Sequence, residues 1–417
     1  MGSKRVFFKT FGCRTNQFDT QIMRSALRDF EYSENENDSD IVVVNSCTVT
    51  NGADSSVRNY INSIKRRNPG VKVILAGCGA HSRGRELFDS GAVFGVMGHS
   101  EREKIDALLQ RDKAFFETGN LEHIDSTIIE SFSGRSRAFV KVQEGCDFEC
   151  SYCIIPLVRG RARSLDETRI AEQVQILAEN GFEEFILTGT NVGSYGKDNG
   201  SSIPKLLKRL SAIEGVRRIR LGSLEPIQVD DEMIELLGEP WMAKHLHVAL
   251  QHTSDEMLGI MNRRNDFAGD EKLLQRLSDA GCAIGTDFIV GHPGESNEIW
   301  AEAIERIERL PLTHIHVFTY SRRDGTASAK MTGETGGEIC KARRSEIMSI
   351  IRQKNREFRL AHRHDLEVLI ESEKDGRYSG LDQYYNRIYL KSDKEIKGKW
   401  IEIKEAEVRN EANYAVI

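Results

Sequence analysis

The sequence predicts an α/β protein with three parts: an N-terminal βα-repeat domain around a parallel sheet, a central partial (β/α)6 barrel, and a small C-terminal β-barrel. Three observations carry this reading. Strand-like runs alternate with helical periodicity through most of the chain, as parallel sheets with crossover helices require. The first three of those strands each run into a cysteine, at Cys13, Cys47 and Cys78. Residues 365–417 then switch to short strands separated by Asp375-Gly376 and Lys397-Gly398, which are hairpin-turn pairs.

In chain order, residues 5–11 read as a strand from their β-branched and aromatic content and are followed by a helical pattern through Ile22, Met23, Ala26, Leu27 and Phe30. Residues 40–45 form a buried-strand run followed by a helix through Val57, Tyr60, Ile61 and Ile64, and residues 71–76 form the third strand. The carboxyl ends of parallel strands share one edge of the sheet, so Cys13, Cys47 and Cys78 converge there. Residues 1–117 make up this domain, and the polar stretch 118–136 reads as a linker. In 137–340, strands fall at 138–142, 185–188, 218–221, 246–250, 286–290 and 314–318, with helices between them. Six such units suit an open barrel whose working face is the strand C-termini. Residues 341–364 form a connecting helix with eight Lys/Arg against Glu346 and Glu357, either a phosphate-facing or a merely solvated face. The tail, 365–417, has nine Lys/Arg and twelve Asp/Glu, so any RNA binding there needs a sorted face and Tyr378, Tyr384, Tyr385 and Tyr389.

Composition narrows the function. With 417 residues, 39% hydrophobic and 29% charged, the chain is a soluble, multi-domain type. No run approaches the ~20 apolar residues of a membrane span, and the first residues lack a secretory layout. A cytoplasmic location without a membrane partner is expected. Eight unevenly spaced cysteines make a poor disulfide framework and suit thiolate ligands in a reducing compartment. The net charge of −6 argues against indiscriminate nucleic-acid binding.

Cys146, Cys150 and Cys153 lie in one loop with C-x3-C-x2-C spacing. Structural zinc takes four ligands, usually from two knuckles, whereas three thiolates on a cubane iron–sulfur cluster leave one iron open. A zinc site completed by a distant His, or three buried apolar cysteines, remain alternatives. With Tyr152 before the last cysteine, the loop resembles the signature of radical S-adenosylmethionine (SAM) enzymes. That resemblance implies that SAM chelates the free iron, that Tyr152 packs near the adenine, and that one electron cleaves SAM to a 5′-deoxyadenosyl radical. Strand ends at Gly189, Ser223, Glu225 and Gln251 are candidate cofactor contacts, although ordinary turns look the same.

The whole layout resembles the methylthiotransferases. It implies two [4Fe–4S] clusters, an auxiliary one on Cys13, Cys47 and Cys78 and a radical SAM one on Cys146, Cys150 and Cys153, with the tail as a TRAM module. Cys282 and Cys340 match neither set. Residues 154–164, 218–225 and 316–326 look most like the branch that converts N6-threonylcarbamoyladenosine beside the tRNA anticodon to its 2-methylthio derivative. The chain departs from the family pattern at His292 and at His252-Thr253. The implied chemistry methylates a sulfur on the auxiliary cluster and abstracts hydrogen from adenine C2, with no side-chain acid or base required. Implied partners are the tRNA anticodon stem-loop, a reductant such as flavodoxin or ferredoxin, and a sulfur donor. A ribosomal-protein aspartate methylthiotransferase and a non-catalytic iron–sulfur RNA-binding protein are the alternatives. Arg159, Arg161 and Arg163 alternate after the cluster loop; in an extended segment they share a face, where guanidinium forks suit the threonylcarbamoyl carboxylate.

Overall fold

The computed structural model describes residues 3–125, 127–132 and 135–416. Its first sheet is six-stranded and parallel throughout, running from the edge pair Glu31–Tyr32 through Arg5–Thr10, Ile41–Ser46, Lys72–Gly77 and Gly95–Met97 to Phe115–Glu117. Ile41–Ser46 is buried at every position, as a parallel strand covered on both faces must be. Alternate residues feed opposite cores: Ile41 and Val43 join Met23 and Leu108, whereas Val42 and Val44 pack with Val57, Ile61 and Ile64. The helix Asn51–Arg67 that supplies those last three starts at Thr50, whose hydroxyl accepts from the Ala53 N–H at 3.1 Å. Lys65, Arg66 and Arg67 sit in its last turn, where cations complement the helix dipole.

The six expected barrel strands are present as Ala138–Glu144, Glu184–Gly189, Arg218–Leu221, His245–His247, Ala283–Val290 and His314–Thr319. They pair in parallel as two groups of three, joined through the bridges Ile219–Met242 and Leu224–Val248. The barrel is therefore a partial one, with His314–Thr319 as an exposed edge. Among the outer helices, Phe267–Asp279 is one that hydropathy reading missed.

The N-terminal domain is clamped to the barrel. Phe18 and Ile22 of the helix Arg14–Ser25 belong to the barrel's own core cluster. Residues 118–136 hold no helix or strand among the described positions, yet they are pinned along the chain. Ile129 and Phe132 are buried in the barrel core, Ile129 exchanges two hydrogen bonds with Gln173, and Thr127 donates to Glu103.

The basic helix spans Gly337–Ala361 and is only partly a solvated face. Arg343 is buried on Glu295 at 2.5 Å, and buried Arg359 donates to the carbonyls of Arg409 and Asn410. Lys341, Arg344, Arg352 and Arg356 remain exposed. The C-terminal sheet is curled and mostly antiparallel, with one parallel pair between Arg387–Lys391 and Asn413–Val416. Asp375 and Gly376 both take positive φ, as a two-residue hairpin turn needs. Three of the four tyrosines pack within the protein, and Tyr389 is half-buried beside Tyr414. Tyr378 is in the sheet's core, Tyr384 packs on Phe358, and Tyr385 stacks on His245 at 4.7 Å.

Candidate active site

The C-terminal ends of the first sheet and of the barrel meet at one chamber of about 400 Å³. All six cysteines singled out by spacing line it, together with Tyr152, Arg159, Gly189, Ser223, Glu225 and Gln251. The first triplet is assembled by backbone fit. Gly12 has φ +105°, and a Cβ there would stand 2.6 Å from Cys47 Cβ, so only glycine lets the Cys13 loop lie against Cys47. Asn16 stitches the loops together, its amide donating to the carbonyls of Phe11 and Ser46 at 2.9 Å each. Cys78 begins the helical turn Cys78–Ser82 and packs with Ile154 and Val158, which follow the second triplet. The three-cysteine loop is held by Cys146 N donating to Gly160 O and Ser151 N donating to Met261 O.

The surroundings of the sulfurs fit thiolate ligands. Cys78 Sγ lies 3.2 Å from the Nε–H of buried Arg159, Cys150 Sγ lies 3.5 Å from Arg263, and Cys146 Sγ receives Asn191 Nδ2 at 3.5 Å. None of the eight cysteines is in a disulfide. Burial, with a smaller push from the neighbouring sulfurs of each triplet, raises the Cys78 and Cys153 thiols to about 12. A bound cation is what makes such a set deprotonate together. Two triplets, each with a guanidinium donating to one of its sulfurs, therefore suit two electron-rich metal clusters better than a single zinc.

The other predicted residues sit in and around the chamber wall. Glu225 is paired with Arg263, which grips both of its carboxylate oxygens and also donates to Ala249 O and the Cys150 sulfur. Gln251 sits at φ +67°, a strained conformation at the chamber wall. Gly189 allows close approach, as a Cβ would come within 2.8 Å of Gln143 O. Tyr152 packs with Met257, Met261 and Ile289 and lies edge-on to His292. The departure at His292 is a satisfied buried ring, bonded to Pro293 O and Ser328 Oγ at 2.8 Å each. Cys282 is in the barrel core, and Cys340 is buried against Gly291, in keeping with structural positions.

The shared face expected of Arg159, Arg161 and Arg163 does not exist. Arg159 ends the helix Ile155–Arg159, Gly160 takes φ +75°, and the segment is not extended there. The Arg161 side chain is 77% exposed, and neither it nor Arg163 lines the chamber. Arg163 donates to the carbonyls of His123, Arg159 and Arg161. Arg159 is committed to a buried lattice, donating to Glu144 at 2.6 Å, Asn16 at 2.6 Å, Asp19 at 2.9 Å and Cys78. Arg102 and Lys141 meet the same Asp19 and Glu144, Arg163 lies 3.5 Å from Glu144, and Asp125 completes three carboxylates against four cations. Sequence reading missed this lattice, Arg263 and Asp287, because each joins residues far apart in the chain.

A parallel barrel open on one side, with a three-cysteine loop at its C-terminal mouth, defines the radical SAM class of enzyme. The radical SAM superfamily profile matches residues 140–307, and that of the uncharacterized family UPF0004 matches residues 5–98. A Helicobacter pylori protein named "Putative methylthiotransferase" is 52% identical over 99% of this chain and all of its own length. The threonylcarbamoyladenosine tRNA methylthiotransferase of Aquifex aeolicus is 36% identical over 85% of this chain and 89% of its own. A Fervidobacterium nodosum tRNA-2-methylthio-N6-dimethylallyladenosine synthase is 30% identical over 96% of both. Among solved structures, the radical SAM methyltransferase TsrM of Kitasatospora setae superposes with a TM-score of 0.57 at 15% identity, covering 78% of this chain and 77% of that one, which speaks to fold alone. The chain belongs to the radical SAM methylthiotransferase family, whose members use a [4Fe–4S] cluster with SAM and carry a second cluster. No helix among the described residues is long and apolar enough to cross a membrane.

Proposed function

We propose that this enzyme converts N6-threonylcarbamoyladenosine beside a tRNA anticodon to its 2-methylthio derivative. In this reading Cys146, Cys150 and Cys153 hold the cluster that binds SAM, and Cys13, Cys47 and Cys78 hold the second. When bound, the first supplies one-electron cleavage of SAM and the second supplies the sulfur that is transferred. The observation that supports this most is the single chamber onto which both thiol triplets open. Sulfur transfer needs both centres within reach of one substrate carbon.

The remaining work falls to side chains. Arg159 and Arg263 each donate to one sulfur of a triplet and so place a positive charge beside it. Tyr152 and Gln251 shape the SAM side of the chamber, and the apolar Ile155, Ile289 and Phe318 help exclude water from a reactive radical. The exposed residues of the basic helix, Arg344, Arg352 and Arg356, suit the phosphates of the anticodon stem.

Threonylcarbamoyl rather than dimethylallyl adenosine is favoured by the higher identity to the former branch. The test is anaerobic reaction of reduced, cluster-reconstituted protein with tRNAs bearing either group, read by nucleoside mass spectrometry and by 5′-deoxyadenosine release. Methylthio product on the threonylcarbamoyl tRNA supports the reading. Product only on the dimethylallyl tRNA, or on neither, overturns it.

A further inference from the structure

The structure frees the three loop arginines from the role of carboxylate reader and leaves that role open. Asp287 lines the chamber, and His247 and His316, which border a second cavity behind it, complete a polar group that the cluster chemistry does not use. His247, Asp287 and His316 come from three adjacent parallel strands, with Asp287 and His316 directly paired in register. His247 Nε2 lies 3.1 Å and His316 Nδ1 3.2 Å from the same Asp287 oxygen, and the two imidazoles stack at 5.3 Å. Gly285 makes this possible: a Cβ there would stand 2.8 Å from His247 Nδ1 and 3.0 Å from His245 Nε2. The arrangement is built rather than incidental.

Its position fits a substrate group. Asp287 and Phe318 line the chamber, and the His316 side chain is 64% exposed on the barrel's open edge, with its Nε2 turned away from Asp287. Phe318, 43% exposed, offers a bare ring two residues on, of the kind on which an extruded base stacks. Behind the pair, His247 and His316 also border a second cavity of about 560 Å³ that carries Arg352, Arg359 and Arg387. None of those three guanidiniums has a carboxylate partner within salt-bridge distance among the described residues, and Glu411 is the one carboxylate among the lining residues, so the side of the wall away from Asp287 carries an excess of positive charge. Burial alone would raise the Asp287 carboxyl, but the hydrogen bonds from both imidazoles hold it low, so it stays an anion that orients their N–H groups.

Resting on the substrate reading above, we infer that the His247–Asp287–His316 wall binds the carboxylate-ended N6 substituent of the target base. With its Nδ1–H donated to Asp287, His316 makes the direct contact as an imidazolium donating from Nε2, while Asp287 and His247 fix its ring. A ureido group ending in a carboxylate hydrogen-bonds such a wall. A dimethylallyl group would leave the imidazole and carboxylate desolvated and unpaired, which costs more than its own burial returns. The same wall thus selects for one branch of substrate and against the other.

The test is equilibrium binding of full-length, cluster-loaded protein to one tRNA with and without the threonylcarbamoyl group. Wild type should prefer the modified tRNA by about ten- to a hundredfold, the worth of a hydrogen bond to a charged group. His316→Ala should bring the ratio close to one, and His316→Gln, which keeps a donor, should restore part of it. Because the ratio is taken on each protein, a general loss of stability or tRNA affinity does not mimic the effect. A ratio kept in His316→Ala while wild type makes methylthio product overturns this inference alone. A wild type that makes no such product overturns the substrate reading, and this inference with it. Stoichiometric Zn²⁺ binding by wild type that disappears in His316→Ala would overturn it too, by assigning the triad to a metal.

Discussion

Replacing Arg159 by Gln should destabilise the protein more than any other single charge removal near the chamber. The guanidinium is fully buried and forms ion pairs with Glu144 at 2.6 Å and Asp19 at 2.9 Å, both carboxylates being 1% exposed. In the surrounding lattice Arg102, Lys141, Arg159 and Arg163 meet Asp19, Asp125 and Glu144. Removing Arg159 leaves Asp19 on Arg102 and Lys141 and Glu144 on Arg102, Lys141 and Arg163, but strips each buried carboxylate of a charge-assisted hydrogen bond, which costs about 3 kcal/mol in all. Against a typical total of about 5–15 kcal/mol that is a large fraction. Arg159→Lys should recover only part of it, since an ammonium cannot serve two carboxylates and a sulfur in the planar fork that Arg provides. The control is Arg161→Gln: its side chain is 77% exposed, 3.7 Å from half-exposed Asp147, and should change stability by no more than about 0.5 kcal/mol.

Urea unfolding of the three variants under anaerobic conditions reads these differences. The Asp19 carboxyl, which burial alone would raise, is held well below its ordinary value by Arg102, Lys141 and Arg159. A lowered carboxylate pKa gives stability that is present above the unfolded value and lost as pH falls through the folded one. The gap between wild type and Arg159→Gln should therefore be widest near neutrality and narrow below about pH 4. An Arg159→Gln protein within about 1 kcal/mol of wild type at pH 7 would refute the lattice as a stabilising clamp between the two domains.

Two further outcomes follow from local geometry. Gly12→Ala forces a side chain into φ +105° and to within 2.6 Å of Cys47 Cβ, so it should displace the first triplet and cost about half the bound iron, measured by metal analysis, while the barrel loop keeps its share. Asp382 is fully buried and its carboxyl is pushed up to about 6 by that burial, against hydrogen bonds from Tyr384 N and Asn386 N. A raised acid pKa gives stability that is complete below the unfolded value and lost as pH rises through the folded one. Wild type should thus lose up to about 3 kcal/mol between pH 4 and 7 through this group, and Asp382→Asn should flatten that slope in pH-dependent unfolding.

Much of the fold was legible because it is written locally. The valine run at 42–44 has to be a strand buried on both faces, and Asp375-Gly376 has to turn. The convergence of the six cysteines on one chamber was legible because residues at strand ends and in one short loop leave a spacing in the sequence. The arginines were not. Alternation at 159, 161 and 163 suggested one face, but Gly160 at φ +75° breaks the period, and partners such as Cys78 and Asp19 lie far upstream. The basic helix misled for a similar reason, since Arg343 and Arg359 spend their charge inside the protein on Glu295 and on backbone carbonyls. The Asp287 wall leaves no trace in any one segment, because its members are neighbours only across strands.

The most direct check is the iron and acid-labile sulfide content of anaerobically purified protein. If both triplets on the chamber are cluster sites, wild type holds about eight irons per chain, and replacing Cys13, Cys47 and Cys78 together, or Cys146, Cys150 and Cys153 together, leaves about four in each case. About four irons in wild type, unchanged when the first triplet is replaced, would contradict the two-cluster account.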